Sequence, residues 1–195
     1  MREQAGYVLV GGRSSRFGRD KALLNLDGRP LAAAVAAQVE AAAGDVTLVG
    51  PRARYGMLGL RMIEDRVADF GPLAGIAAAL AEGRARWNLI VACDMPRLRV
   101  RFLEFLLERA RKCGRGAVVP LSPDGREQPL CAVYSSELGE AVGQALGRGE
   151  RKITRALEGL DVQYVLPPEY ARIDPGGEVF TNLNWPADAR EAGLG

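Results

Sequence analysis

The sequence predicts a three-layer, Rossmann-like α/β fold with a mostly parallel central sheet. Short apolar runs of strand length alternate with longer amphipathic or alanine-rich runs, and the first apolar run ends at a pair of glycines. Alternating strands and helices favour a parallel sheet covered on both faces. The right-handed crossover rule then favours a doubly wound arrangement. The chain of 195 residues has no internal repeat or low-complexity linker, so one domain over residues 1–195 is expected.

The strands are predicted from compact apolar runs bounded by glycine, proline or charged residues. The first run, residues 6–10, is rich in Val and Tyr and leads into Gly11, which is typical of a buried strand. The run at 89–93 is apolar throughout and indicates another central strand. Further strands are predicted at 46–49, 60–63, 117–119, 129–134 and 162–166.

The helices are predicted from spacing and from their end signals. Pro30 precedes an alanine-rich run at 31–43 and Gly44 follows it, a proline start and a glycine stop. The run at 101–113 repeats its apolar residues with a helical period. Further helices are predicted at 73–81, 138–146 and 153–160, and surface loops at 122–126 and 167–177.

Composition excludes several classes of function. The 26 basic and 24 acidic residues leave a net charge of +2, so no basic field for nucleic acid is expected. The chain has no histidine and only three cysteines. Ser-His-Asp and Cys-His catalysis are therefore excluded, and a zinc site or a disulfide framework is not expected. No apolar run reaches membrane-spanning length, and the first is too short for a signal peptide, so a cytoplasmic protein is expected.

The segment after the first predicted strand suggests phosphate binding. Gly11 and Gly12 allow the backbone to approach phosphates and point N–H groups at them. Arg16 and Lys21 add positive charge to this loop. Its spacing matches neither the GxxxxGK[ST] nor the GxGxxG phosphate loop. A glycine pair alone is a tight turn in most proteins, so the ordered charges that follow it carry the functional interpretation.

Residues 9–21, LVGGRSSRFGRDK, resemble the LxGGxSxRMGxDK loop of the MobA-type nucleotidyltransferases, which have the nucleotide-diphospho-sugar transferase fold. Val10 stands where the family usually has alanine, and Phe17 where it has methionine. The resemblance implies catalytic roles for Arg16 and Lys21 in holding the triphosphate. It also implies that the nucleotide contacts this loop at Leu9, Val10, Gly11, Gly12 and Lys21.

Two further segments extend the resemblance. An acid at Asp65 is followed by GPLAGI at 71–76, a string typical of the guanylyl branch of the family. The resemblance implies that Asp65 contacts the nucleotide and that Gly75 lies near the acceptor or the base. A solvated loop acid is the ordinary alternative for Asp65. The family often has an asparagine after the second strand, and this chain has none there, so base recognition would rest on backbone groups.

Asp94 follows the strand predicted at 89–93, in the segment CDMP. Ligands in open α/β sheets bind at the carboxyl ends of strands, and a carboxylate there can hold Mg²⁺. The resemblance implies that Asp94 is the metal ligand and a catalytic residue. The alternative is a helix-capping Asp. Cys93 is interpreted as a small buried residue rather than a nucleophile.

The last two segments point to the acceptor. Residues 127–134, EQPLCAVY, resemble the family's xxPLxAxY strand, which implies an acceptor-lining role, although a plain buried strand is an equal alternative. Residues 180–188 resemble FxNxNTPxD, with Trp185 in place of threonine. Asn182 and Asn184 alternate onto one face of an extended segment, where their amides can bind the acceptor.

The resemblance implies Mg²⁺-dependent transfer of GMP from GTP to the terminal phosphate of molybdopterin. Three alternatives remain open: a cytidylyltransferase acting on the same acceptor, a sugar-phosphate or other NTP transferase, and a non-catalytic nucleotide-binding module. The expected partners are GTP and molybdopterin or molybdenum cofactor, with transient contacts to other cofactor-biosynthesis or acceptor proteins. Neither nucleic acid nor membrane is expected as a partner. The expected state is a monomer or weak oligomer.

Overall fold

The central sheet has seven strands in the order β5-β4-β1-β6-β8-β7-β9. The computed structural model describes residues 2–11, 20–65 and 70–182. All seven strands are parallel except β8, which runs antiparallel to both of its neighbours. The predicted α/β fold with a mostly parallel sheet is therefore confirmed. The seven strands are β1 (Arg2–Leu9), β4 (Thr47–Val49), β5 (Met62–Ile63), β6 (Ala85–Ala92), β7 (Ala117–Pro120), β8 (Cys131–Ser135) and β9 (Val162–Val165).

Helices cover both faces of the sheet and bury two separate apolar layers. One layer contains the inward residues of α1 and α4, and the other contains those of α3, α5 and α6. The helices are α1 (Leu31–Ala43), α2 (Arg52–Tyr55), α3 (Pro72–Ala81), α4 (Val100–Cys113), α5 (Gly139–Gly147), α6 (Ile153–Leu157) and α7 (Pro167–Tyr170). No helix in the described part of the chain is long and apolar enough to cross a membrane.

The predicted bounds of α1 are confirmed at both ends. Pro30 precedes the helix and has the fixed backbone angle that suits a helix start. Gly44 follows it in the left-handed conformation, with φ of +80°, and donates its N–H to the Glu40 carbonyl oxygen. The helix ends there because a residue without a side chain adopts this conformation at little cost.

Three parts of the fold were not predicted. The short helix α2 follows β4 in a stretch where no element was expected. A small hairpin, β2 (Asn25–Leu26) and β3 (Arg29–Pro30), precedes α1. The stretch 167–177, predicted to be a surface loop, instead contains α7 and two nearly inaccessible side chains, Tyr170 and Asp174. The Tyr170 ring packs edge-on against Phe102 of α4, with ring centroids 5.3 Å apart. The surface-loop prediction was wrong because one buried aromatic ring fixes a segment that is otherwise polar and rich in glycine.

Charged side chains join the elements at the amino ends of the strands. The Asp45 carboxylate accepts hydrogen bonds from the Gly6 amide, at 3.1 Å, and from the guanidinium of Arg84. The hydroxyl of buried Tyr7 donates to Glu82 at 2.9 Å. These bonds tie β1 and β6 to the ends of α1 and α3. They therefore hold the sheet together on the side of the amino ends, and the candidate site lies on the opposite side, at the carboxyl ends of the strands.

Candidate functional site

The site begins where β1 and β6 end side by side. The Leu9 carbonyl oxygen accepts the Cys93 amide at 3.1 Å, and the Val10 amide donates to the Val49 carbonyl oxygen at 2.9 Å. The side chains of Leu9 and Val10 are buried in the core. A ligand at this edge would therefore meet the backbone of these two residues and the Gly11 turn, rather than their side chains.

The chain turns at Gly11 with φ of +116°, a conformation that L side chains rarely adopt. The facing wall is the segment after β4. A Cβ on Gly50 would lie 2.0 Å from the Val10 carbonyl oxygen, so the two backbones approach too closely for any side chain. The glycine at position 50 thus allows the segment leading into α2 to pack directly behind the β1 turn.

Lys21 begins a short 3₁₀ helix, Lys21–Leu23, whose cap is Asp20. One Asp20 carboxylate oxygen accepts the Ala22 amide at 3.1 Å, and the other accepts the Tyr55 hydroxyl at 2.8 Å. The Arg54 guanidinium lies 3.7 Å from the same carboxylate. Asp20 is thus engaged by the protein itself, and it holds the turn from which the Lys21 side chain extends.

Asp94 lies in the turn directly after β6 and is partly buried. Burial raises the pKa of its carboxyl group, and the positive charge of Lys21 acts in the opposite direction and lowers that pKa. Two of the three predicted catalytic residues, Lys21 and Asp94, therefore lie close enough for the lysine charge to act on the carboxyl group. The helix-capping alternative for Asp94 is wrong because α4 begins only at Val100, where Arg99 occupies the cap position.

Cys93 is buried beside these groups, and burial raises the pKa of its thiol to about 12. The negative charges of Asp94 and Asp20 raise that pKa further. Because only the thiolate is a strong nucleophile, Cys93 is unsuited to nucleophilic catalysis. The interpretation of Cys93 as a small packing residue agrees with this environment.

The donor set at Asp94 suits magnesium better than a cage-forming metal. Within residues 2–11, 20–65 and 70–182, no group of three Cys, Asp or Glu side chains could hold a metal ion together. Mg²⁺ binds through one or two carboxylates and completes its shell with water and substrate phosphates. A single partly buried carboxylate beside the Gly11 turn fits that chemistry.

The GPLAG motif positions α3 against the end of β1. Gly71 has a φ of +76° and directly precedes Pro72, the first residue of α3. A Cβ on Gly75 would lie 3.0 Å from a Leu9 methyl group, so a glycine lets α3 contact the strand end closely. Gly75 therefore lies beside the end of β1 because α3 packs against that strand. Asp65 follows β5 and is partly exposed, and no hydrogen bond or ion pair joins its side chain to another described residue.

The C-terminal segment is tied to the loop that follows Asp94. Glu178 lies 3.2 Å from the Arg99 guanidinium and 3.8 Å from that of Arg97. Phe180 packs on Phe102 of α4, with ring centroids 5.4 Å apart. Asn182 follows two residues later, and its side-chain oxygen is buried, with no hydrogen-bond partner among residues 2–11, 20–65 and 70–182.

Three predicted site residues, Gly12, Arg16 and Asn184, lie outside the described residues. Conversely, the sequence interpretation did not include Tyr55 or Glu178, which hold Asp20 and the loop after Asp94. A lone tyrosine in the segment PRARYG has no periodicity or motif to mark it. Glu178 was missed because it lies between the loop predicted at 167–177 and the motif at 180–188, and belongs to neither.

Turns carrying charge at the carboxyl ends of adjacent parallel strands are typical of α/β proteins that bind ligands there, nucleotides among them. Comparisons with known proteins narrow this class. The model of the MobA-like NTP transferase domain matches residues 6–162. The chain belongs to the MobA-like NTP transferase family and is a nucleotidyltransferase.

Curated relatives cover nearly the whole chain. One is named molybdenum cofactor guanylyltransferase, from Pseudomonas paraeruginosa, and is 36% identical over 92% of this chain and 89% of its own length. A probable molybdenum cofactor guanylyltransferase from Thermococcus gammatolerans is 33% identical over 92% of this chain and 93% of its own length.

Solved structures agree with the fold. Molybdopterin-guanine dinucleotide biosynthesis protein A from Archaeoglobus fulgidus superposes with a TM-score of 0.85 at 28% identity, covering 96% of each chain. A 2-C-methyl-D-erythritol 4-phosphate cytidylyltransferase from Thermus thermophilus has a TM-score of 0.68 at 20% identity and covers 95% of each chain. The second likeness is one of fold alone.

Proposed function

We propose that this protein transfers GMP from GTP to the terminal phosphate of molybdopterin, with or without bound molybdenum. The products are the guanine dinucleotide form of the cofactor and pyrophosphate. The observation that carries the proposal is that β6 ends beside the glycine turn of β1 and is followed by Asp94, whose carboxyl group experiences the positive charge of Lys21. The names of the relatives support guanine as the base and molybdopterin as the acceptor.

In the proposed reaction, an oxygen of the acceptor phosphate attacks the α-phosphorus of GTP. The bond between the α-phosphorus and its bridging oxygen breaks, and pyrophosphate leaves with that electron pair. The attacking group is already an anion, so no strong general base is needed, which agrees with the absence of histidine. Catalysis then depends on positioning and on neutralising charge around the phosphates.

The residues of this chain supply that positioning. The backbone at Gly11, together with Lys21 and the predicted Gly12 and Arg16, would hold the triphosphate. Asp94 would hold Mg²⁺, which neutralises phosphate charge when bound. Asn182 and the predicted Asn184 would bind the acceptor through their amides. Asp65 would contact the nucleotide from the end of β5.

A calorimetric titration tests the proposal. The protein is titrated with GTP, CTP and ATP, each with and without Mg²⁺, and pyrophosphate release is then followed with molybdopterin. We expect metal-dependent binding of GTP alone, followed by turnover. Preference for CTP would assign the protein to cytidylyl transfer. GTP binding without turnover on molybdopterin would instead indicate another acceptor or a non-catalytic nucleotide-binding module.

A further inference from the structure

Tyr55 connects the wall behind the glycine turn to the turn that carries Lys21. We propose that Tyr55 is a positioning residue, which holds Asp20 through its hydroxyl and thereby fixes Lys21 opposite Asp94. The role in nucleotide binding rests on the proposed function, whereas the role in holding the Lys21 turn does not.

The contacts form a short chain from core to site. Tyr55 is fully buried, and its hydroxyl donates to one Asp20 oxygen at 2.8 Å. The second Asp20 oxygen accepts the Ala22 amide at 3.1 Å. One carboxylate therefore joins the buried tyrosine to the first turn of the 3₁₀ helix at Lys21. A hydrogen bond to a charged acceptor is among the stronger kinds in proteins, so this link restrains the turn.

The tyrosine is itself held at both sides. The Arg52 amide at the start of α2 donates to the Glu64 carboxylate at 2.8 Å, and the Arg52 guanidinium donates to the Met62 carbonyl oxygen at 3.0 Å. These bonds fasten α2 to β5. On the other side the Tyr55 ring faces Gly11, where a Cβ would lie 4.0 Å from it. The Tyr55 side chain is therefore held in place, and its hydroxyl can keep Asp20 in one position.

The position of Asp20 matters because Lys21 is the next residue. The 3₁₀ turn continues with the Leu23 amide bonded to the Asp20 carbonyl oxygen at 3.1 Å. Releasing the Asp20 side chain removes one of the bonds that define this turn. The Lys21 ammonium group would then sample a wider range of positions around Asp94. The loss should fall on phosphate binding rather than on the core.

Tyr55→Phe separates positioning from packing because it keeps the ring and deletes only the hydroxyl. The matched control is Tyr7→Phe, which deletes an equivalent buried tyrosine–carboxylate bond, to Glu82, at the far edge of the sheet. We expect Tyr55→Phe to weaken GTP binding by about tenfold and Tyr7→Phe to change it less than about twofold. In a Lys21→Ala background, Tyr55→Phe should weaken binding further by less than about twofold. Equal losses in the two tyrosine variants, or full additivity with Lys21→Ala, would overturn the proposal.

Amide hydrogen exchange without nucleotide provides a readout independent of the proposed function. In Tyr55→Phe the amides of Ala22 and Leu23 should exchange about tenfold faster than in the wild type, whereas Tyr7→Phe should leave them unchanged. If the wild type bound no GTP, the proposed function would fail and this exchange would still decide whether Tyr55 holds the turn. Unchanged exchange in Tyr55→Phe would refute the inference.

Discussion

Gly6 lies in β1 where α1 and its following loop press directly on the strand. In Gly6→Ala the new Cβ would lie 2.4 Å from a Val39 methyl group and 2.6 Å from the Asp45 carbonyl oxygen. Non-bonded carbon atoms prefer about 3.5–4.0 Å, so α1 would have to retreat by about 1 Å. Val39 is fully buried and the Asp45 oxygen belongs to the backbone, so neither can rotate away. We expect a loss of about 3 kcal/mol, the upper part of the overpacking range.

The assay is urea unfolding followed by circular dichroism, with a thermal melt as a second measurement. For a chain of this size a loss of 3 kcal/mol corresponds to a fall of about 6–12 °C in Tm. The denaturant slope should stay constant, since the surface exposed on unfolding is unchanged.

Gly143→Ala is the matched control. Gly143 lies in α5, and beyond its own helix backbone no atom of the described residues lies within 4 Å of the position of its Cβ. The same chemical change should therefore stabilise the protein by about 0.5–1 kcal/mol through helix propensity. If Gly6→Ala lost less than about 1 kcal/mol while Gly143→Ala gained as expected, the close contact between α1 and β1 would be wrong.

Three further changes test the site and its surroundings. Asp94→Asn removes the proposed metal ligand's charge, so GTP-dependent pyrophosphate release should fall about 10²–10³-fold; near-normal turnover would refute the assignment. Gly75→Ala places a Cβ 3.0 Å from a Leu9 methyl group, so the free energy of unfolding should fall by about 1 kcal/mol. Calorimetry should also show severalfold weaker GTP binding, and an unchanged affinity would exclude Leu9 from the nucleotide site. Burial raises the pKa of the Cys131 thiol to about 12. As the pH rises, the thiol therefore loses its proton in the unfolded chain before it does so in the folded chain. Stability from this group should hold below about pH 8 and fall between about pH 9 and 12. Urea midpoints across this range should decline less steeply for Cys131→Ala than for the wild type.

Much of the fold could be predicted because its signals are local. Helix α1 carries proline and glycine at its two ends, and the core strands are apolar throughout. The hairpin before α1 also had a local signal, the Asp27-Gly28 pair, and both residues have positive φ. Such pairs favour a two-residue hairpin turn, so this element could have been predicted. Strand order and the reversal of β8 could not, because they depend on contacts between distant segments.

The candidate site likewise contains residues that could be predicted from local motifs and residues that could not. Lys21 and Asp94 were predicted from ordered motifs, and the position of Asp94 beside the β1 turn follows from the pairing of β1 with β6. The support behind them was not predictable, because the bond from Tyr55 to Asp20 joins residues 35 positions apart. Nothing in the local sequence around Tyr55 distinguishes it from an ordinary core aromatic residue.

The reversed direction of β8 has a consequence for how the site can diversify. The Leu130 carbonyl oxygen, just before β8, accepts a hydrogen bond from the Ala92 amide at 2.8 Å. Strand β8 therefore begins beside the end of β6, close to Asp94. The approach to β8 is a loop closed by its own bonds, among them Gln128 to Ser122 at 3.0 Å. Insertions in that loop can reshape the rim of the site while β1 and β6 keep their register. Two parts of the candidate site can therefore evolve at different rates: the turns after β1 and β6 can stay constant while the neighbouring loop before β8 changes.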